Sequence, residues 1–182
     1  MTDKGAGTDA AAGYAPLLLL PGTLCNGRLF EPLLRELGNP PAEIGDMTGA
    51  RSARELAGKL LAGAPPRVSL LGFSLGGIVA MEMVAQAPER IERLALLSTT
   101  PRPDPPANAQ TRRDAVARAR RLGIGSYVDD NWERFVAPAR LEDADLRVSI
   151  ARMAREVGLN AFADQTEVAI DRADSRPRLI SI

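Results

Sequence analysis

The chain has 182 residues, 45% of them hydrophobic and 25% charged, enough for one domain with a substantial core. Lys+Arg and Asp+Glu balance at 23 each, which removes the electrostatic case for nucleic acid or an anionic membrane surface as partner. A single cysteine, Cys25, excludes an internal disulfide and points towards the cytoplasm. The lack of any histidine removes the usual imidazole for acid–base chemistry near neutral pH.

Residues 1–13 are small and polar and lack the apolar core of a signal peptide, so they read as a disordered tail. Ala15 to Leu20 is a continuous apolar run closed by Pro21-Gly22: too short to span a bilayer, but suited to a strand buried on both faces. Leu29, Phe30, Leu33, Leu34 and Leu37 repeat at helical spacing, with Pro32 in the first turn and Gly38, Pro40 and Pro41 as the stop. A short strand is expected over Ala42 to Met47. Ser52-Ala-Arg-Glu55 is a capping box that opens a helix through Leu56, Leu60 and Leu61. Arg67 to Leu71 reads as a second buried strand, Ile78 to Ala87 as a buried helix and Ile91 to Leu97 as a further strand. This alternation predicts an α/β fold, a parallel sheet with helices on both faces.

The pattern changes at Thr100. Pro101, Pro103, Pro105 and Pro106 make a stiff linker into a helical, arginine-rich block. Ala115, Val116, Ala119 and Leu122 form one apolar stripe. Leu146, Ile150, Met153 and Val157 form another, closed by Gly158, and Asn160 is placed to cap a third helix through Phe162 and Val168. The expected organisation is a tail over 1–13, a core over 14–100, a helical lid over 101–172 and the start of a return to the core over 173–182.

Gly72-Phe73-Ser74-Leu75-Gly76 fits G-x-S-x-G at the junction of a buried strand and a buried helix. Such a turn strains the serine backbone and lifts its hydroxyl above the sheet. Gly72 and Gly76 leave no side chain to strike the neighbouring strand or helix. The helix start aims free N–H groups at developing negative charge. Ser74 is thus the candidate nucleophile. The Leu75 N–H, with the Thr23 N–H at the bend after the first strand, is a candidate oxyanion donor.

Leu17 to Phe30, the GFSLGG turn and Ala87 to Ser98 together resemble the α/β-hydrolase family, in its branch of small bacterial carboxylesterases and enol-lactonases. Pro21 stands where many relatives carry histidine, a position outside the catalytic triad. The resemblance implies hydrolysis of a carboxylic ester, lactone or thioester through an acyl-enzyme, with a small-molecule ester as substrate and no cofactor. It also implies a triad in the order serine, acid, histidine. The acid and histidine are expected beyond Ile182, so the chain reads as C-terminally truncated and inactive alone, with a long apolar sheet edge left open to self-association. A non-catalytic binding module and a gene fragment are the competing readings.

Asp104 is either a substitute triad acid or an Asp-Pro turn. Cys25 beside the bend reads as an inert buried thiol rather than a nucleophile. Arg112, Arg113, Arg118, Arg120 and Arg121 either face solvent or attract an anionic group. Tyr127, Trp132 and Phe135 either pack the lid or line an acyl pocket. No cluster with metal-ligand spacing and no phosphate-binding glycine loop is present in the sequence.

Overall fold

The computed structural model describes residues 14–179. The expected tail at 1–13 and residues 180–182 lie outside the described residues. Four strands, β1 (Leu17–Leu20), β2 (Ala42–Ile44), β3 (Val68–Phe73) and β4 (Ile91–Leu97), form one parallel sheet in the order β2-β1-β3-β4. Leu19 pairs with Ile44 on one side and Leu71 on the other, and Leu71 in turn with Ala95. The two strands that carry no charged residue, β1 and β3, therefore take the middle, as a parallel sheet requires.

Helices α1 (Glu31–Glu36), α2 (Ala53–Gly63) and α3 (Leu75–Gln86) connect the strands. Ser52 caps α2 by accepting the Glu55 N–H at 3.1 Å. The Glu55 carboxylate reaches back to the Arg51 N–H at 3.3 Å, one residue earlier than in a regular capping box. Leu56, Leu60, Val79 and Met83 from α2 and α3 pack on Leu18, Leu20, Val68 and Leu70, the main core. Leu19 and Ile44 point to the opposite face, where Gly27 of the turn before α1 lies against Ile44. That face thins out towards β4: Leu71 and Phe73 are only half-buried, Ala95 is exposed and Leu97 is 43% exposed.

The leucine repeat before Gly38 makes a weaker element than expected. It is split into a 3-10 turn (Gly27–Phe30) and the six-residue α1, and only Phe30 is fully buried.

Beyond the proline linker come α4 (Asn108–Leu122), α5 (Ile124–Asp130), α6 (Trp132–Phe135), α7 (Ala144–Asp171) and α8 (Arg176–Leu179). Val116, Ala119, Val128, Ala151, Ala154 and Phe162 build a second core, and Leu24 from the bend after β1 joins it. Leu122, expected on that stripe, is 45% exposed. The third helix does not begin at Asn160. α7 kinks at Gly158 (φ +83°) and re-enters helix at once, so Asn160 lies inside it, and the glycine supplies the break.

The block is tied to the sheet at several points. Val168 and Ala169 of α7 belong to the main core. Glu156 accepts from Asn26 Nδ2 at 2.7 Å and pairs with Arg28 at 3.2 Å. The block's entry and exit are fastened to each other, since Ser175 N–H donates to Pro101 C=O at 2.8 Å and Arg172 Nε to Arg102 C=O at 2.9 Å. Among the described residues, no helix is long and apolar enough to cross a membrane.

Candidate active site

Ser74 sits between the last residue of β3 and the first of α3, with φ +52° and ψ −112°. This conformation is costly for any residue with a side chain, of order 1–3 kcal/mol, and persists only where its surroundings enforce it. They do so through the main chain. Ser74 N–H donates to Leu97 C=O at 2.9 Å. The Ser74 carbonyl accepts from Gly77 N–H at 3.0 Å and from the Thr99 hydroxyl at 2.7 Å. The Ser74 side chain does not cap α3, and the serine is half-exposed.

The glycines permit the turn by contact. A methyl group at Gly72 would lie 2.6 Å from Gly77 Cα and 2.7 Å from the Gly76 carbonyl carbon. One at Gly76 would overlap Leu20 O, and one at Gly77 would lie 2.6 Å from Thr99 Cγ2. Helix α3 therefore rests its first turn directly on the backbone of β1 and on the residues after β4. At Gly22 a methyl would fall 2.9 Å from the Phe73 ring and 3.3 Å from Ser74 Cβ, so the bend after β1 lies against the serine.

Ser74, Leu75 and Thr23, the three residues singled out from the sequence, line one cavity of about 260 Å³. Leu75 opens α3, so its N–H precedes every intrahelical acceptor. The Thr23 bend is closed by Cys25 N–H donating to Gly22 C=O at 3.1 Å. It is anchored from α7 by Gln165, whose Oε1 accepts the Leu24 N–H at 3.0 Å and whose Nε2 donates to Met47 C=O at 3.3 Å. Leu24 needs that anchor, because its φ is +59°.

Ile78, Ser98, Thr99, Thr100, Ala169, Arg112 and Arg172 complete the lining. Both arginines reach Asp104. Arg112 binds it through Nε at 2.8 Å and Nη2 at 2.9 Å, and Arg172 through Nη2 at 2.8 Å; the carboxylate is 2% exposed. Burial pushes the Asp104 carboxyl up, but hydrogen bonds from Arg112 and the two positive charges prevail and hold it below its ordinary value. Asp104 is thus neither a free acid nor a bare turn; it is the hub of an ion-pair cluster with the two arginines that line the cavity. Arg113 and Arg118, from the same helix, pair instead with Glu167 and Asp130 away from the cavity.

Cys25 is half-buried, and burial pushes its thiol up to about 11, a poor nucleophile at neutral pH. Tyr127 packs its ring on Phe162 and Phe135 within the helical block, outside the cavity lining, and Trp132 donates its indole N–H to Leu141 C=O at 2.8 Å. Gln165, Ser98, Thr99 and Arg172 were not picked out from the sequence. Gln165 had a readable signal, a polar residue on the apolar stripe of Ala161, Phe162, Val168 and Ala169. The other three are brought in only by tertiary contacts.

A sequence profile described as "Alpha/beta hydrolase family" matches residues 5–180. The chain belongs to the alpha/beta hydrolase family. Within it, the chain is 32% identical over 99 residues to a pimeloyl-[acyl-carrier protein] methyl ester esterase of Pectobacterium carotovorum, a match covering 50% of this chain and 39% of that protein. The hydrolase fold is also shared with solved structures. An esterase from Thermogutta terrifontis superposes with a TM-score of 0.77 at 23% identity, over 91% of this chain and 66% of the other. An enol-lactonase from Burkholderia xenovorans superposes with a TM-score of 0.71 at 23% identity, over 92% and 69% respectively. The chain thus spans about two fifths of the length of this curated relative and about two thirds of the two solved structures.

Proposed function

We propose that the chain carries the nucleophile and the oxyanion donors of a serine hydrolase acting on a carboxylic ester, lactone or thioester. The observation that carries this reading is the enforced positive-φ backbone of Ser74 at the junction of β3 and α3, beside the cavity. Ser74 Oγ attacks the carbonyl carbon, and the oxygen that gains the negative charge is held by the Thr23 and Leu75 N–H groups. Collapse of the tetrahedral species breaks the ester, lactone or thioester bond and passes the serine proton to the alcohol or thiol end, which departs from an ester or thioester and stays tethered to the acyl chain of an opened lactone; water then removes the acyl group from Ser74. The residues at 101–172 act as a lid over this cavity. Relatives described as a methyl ester esterase and an enol-lactonase support carboxylic esters and lactones as the substrate class.

Attack requires a base, and the 182 residues contain no histidine. The placed serine keeps its proton, and catalysis falls by several orders of magnitude when a triad member is lacking. This chain by itself is therefore expected to turn over p-nitrophenyl esters negligibly. Fluorophosphonate, which accumulates as a stable adduct, should still label Ser74 slowly, and added imidazole should speed that labelling. Equal labelling of the wild type and Ser74→Ala would refute the nucleophile assignment. Serine-dependent ester turnover without added base would refute the need for a histidine. The same lack of histidine favours a second reading, a ligand-binding module without chemistry. Ligand-dependent stabilisation with no Ser74 adduct, with or without imidazole, would decide for it.

A further inference from the structure

We propose that the cavity beside Ser74 selects esters that carry a free carboxylate, with Arg112 as the residue that reads it; this rests on the hydrolase reading of Ser74. Among the ten described residues lining the cavity the only ionisable side chains are Arg112 and Arg172, and none is acidic. Both guanidiniums pair with the single carboxylate of Asp104, so two positive charges meet one negative charge and the wall keeps a net positive charge. An uncharged ester gains nothing from that surplus, whereas an anionic group balances it.

The two arginines are not equivalent. Arg172 is held on every nitrogen: Nε donates to Arg102 C=O at 2.9 Å, Nη1 to Ala169 C=O at 2.8 Å, and Nη2 pairs with Asp104 at 2.8 Å. Its side chain is 8% exposed, so it serves as a fixed strut. Among the described residues, Arg112 uses only Nε and Nη2, both on Asp104, and its side chain is 38% exposed. Its remaining amino group is the donor available to a ligand. The Asp104 fork also fixes the guanidinium plane, which lowers the entropy lost when a carboxylate docks. A cavity of about 260 Å³ is smaller than the roughly 300–1,000 Å³ of drug-sized ligand sites, so the fitting class is a short acyl chain ending in a carboxylate.

The test compares binding of monomethyl glutarate and dimethyl glutarate to this chain by calorimetry at low ionic strength. The half-ester is expected to bind about tenfold more tightly, the effect of one charge-assisted hydrogen bond, and to lose that advantage as salt rises. Arg112→Gln should bring the two esters together. Arg113→Gln, which alters the neighbouring Glu167 pair, should leave the preference in place. Equal affinity of the wild type for both esters, or no binding of either, would overturn the proposal, and this comparison does not depend on any variant folding. A preference that survives Arg112→Gln would overturn the role of Arg112. If the half-ester preference holds while fluorophosphonate never labels Ser74, the hydrolase reading fails and the anion subsite stands. If Ser74 is labelled and the esters bind alike, only the subsite fails.

Discussion

Replacing Gly76 by alanine should unfold or strongly destabilise the protein, although it adds only one methyl group to the first turn of α3. That methyl would overlap Leu20 O and stand 2.5 Å from the Leu20 carbonyl carbon and 2.8 Å from Pro21 O, where real Cβ atoms keep more than 3.0 Å from such neighbours. All three atoms are backbone, so no side chain can rotate away, and α3 and β1 would have to part by about 1 Å. Overpacking of ordinary cores costs about 1–3 kcal/mol, and a clash against a rigid central strand belongs at or above the top of that range. For a chain of this size, about 3 kcal/mol lowers the melting temperature by roughly 6–12 °C. Gly63→Ala is the matched control. Gly63 is the last residue of α2, with nothing within 4 Å of a built Cβ and no positive φ. The same added methyl there should stabilise by about 0.5–1 kcal/mol, through helix propensity and a less flexible unfolded chain. Thermal and urea unfolding of the two variants beside the wild type, followed by circular dichroism, measures both signs. A Gly76→Ala protein melting within about 2 °C of the wild type would refute the close packing of α3 on β1.

Gln165→Leu keeps the volume but strands the buried Leu24 N–H and Met47 C=O, and should cost about 2–4 kcal/mol, read as a lower urea midpoint at unchanged slope. Hydrogen bonds from Arg28, Arg152 and Asn26 hold the Glu156 carboxyl at about 2, against an ordinary 4.5. Because the folded value is the lower one, its stabilising contribution is complete above pH 4.5 and is lost as pH falls towards 2. The drop in urea midpoint from pH 6 to pH 3 should accordingly be larger in the wild type than in Glu156→Gln, and equal drops would refute the clamp. The outer edge of β4, with Ala95 exposed and Leu97 43% exposed, should drive concentration-dependent self-association that Leu97→Lys reduces; sedimentation of a clean wild-type monomer at all concentrations would contradict this.

Local physics made much of the fold readable. Runs of leucine and valine closed by Pro-Gly or by the glycine turn read as buried strands, and β1 and β3 lie where those runs lie; β4 lies over its expected span, but none of its residues is fully buried. Ser74 was readable because its turn needs glycine on either side, a demand that leaves a mark in the sequence itself. Elements whose boundaries depend on one residue were less secure. Asn160 has a capping side chain, yet Gly158, free to adopt φ +83°, makes the break two residues earlier. The cavity wall was the least readable part. Asp104 meets Arg112 across eight positions and Arg172 across sixty-eight, and Gln165 reaches Leu24 across 141. No periodicity encodes such pairs; they exist because α7 returns over the bend after β1. A balanced global charge also hid a local excess, since surface pairs such as Arg113 with Glu167 cancel while the Asp104 cluster does not.

The distribution of backbone strain argues for the site independently of any motif. Among the described residues, four other than glycine have positive φ: Leu24, Asn39, Ser74 and Ser98. Asn39 follows Gly38 in a turn and is of a type that tolerates this region. The other three sit just beyond the carboxyl ends of β1, β3 and β4, the end of a parallel sheet where ligands bind in open α/β folds. Their strain is coupled as well as co-located. Ser74 is held by Leu97 C=O and the Thr99 hydroxyl on either side of Ser98, and Leu24 by Gln165. A fold that stores several kcal/mol of distortion at one end of its sheet, and locks it with main-chain and side-chain hydrogen bonds, has built a rigid cradle there. That cradle consists of main-chain groups, the Thr99 hydroxyl, the Gln165 amide and close glycine contacts, none of which depends on an imidazole. The strained turn at Ser74 is therefore held by contacts made within these residues themselves.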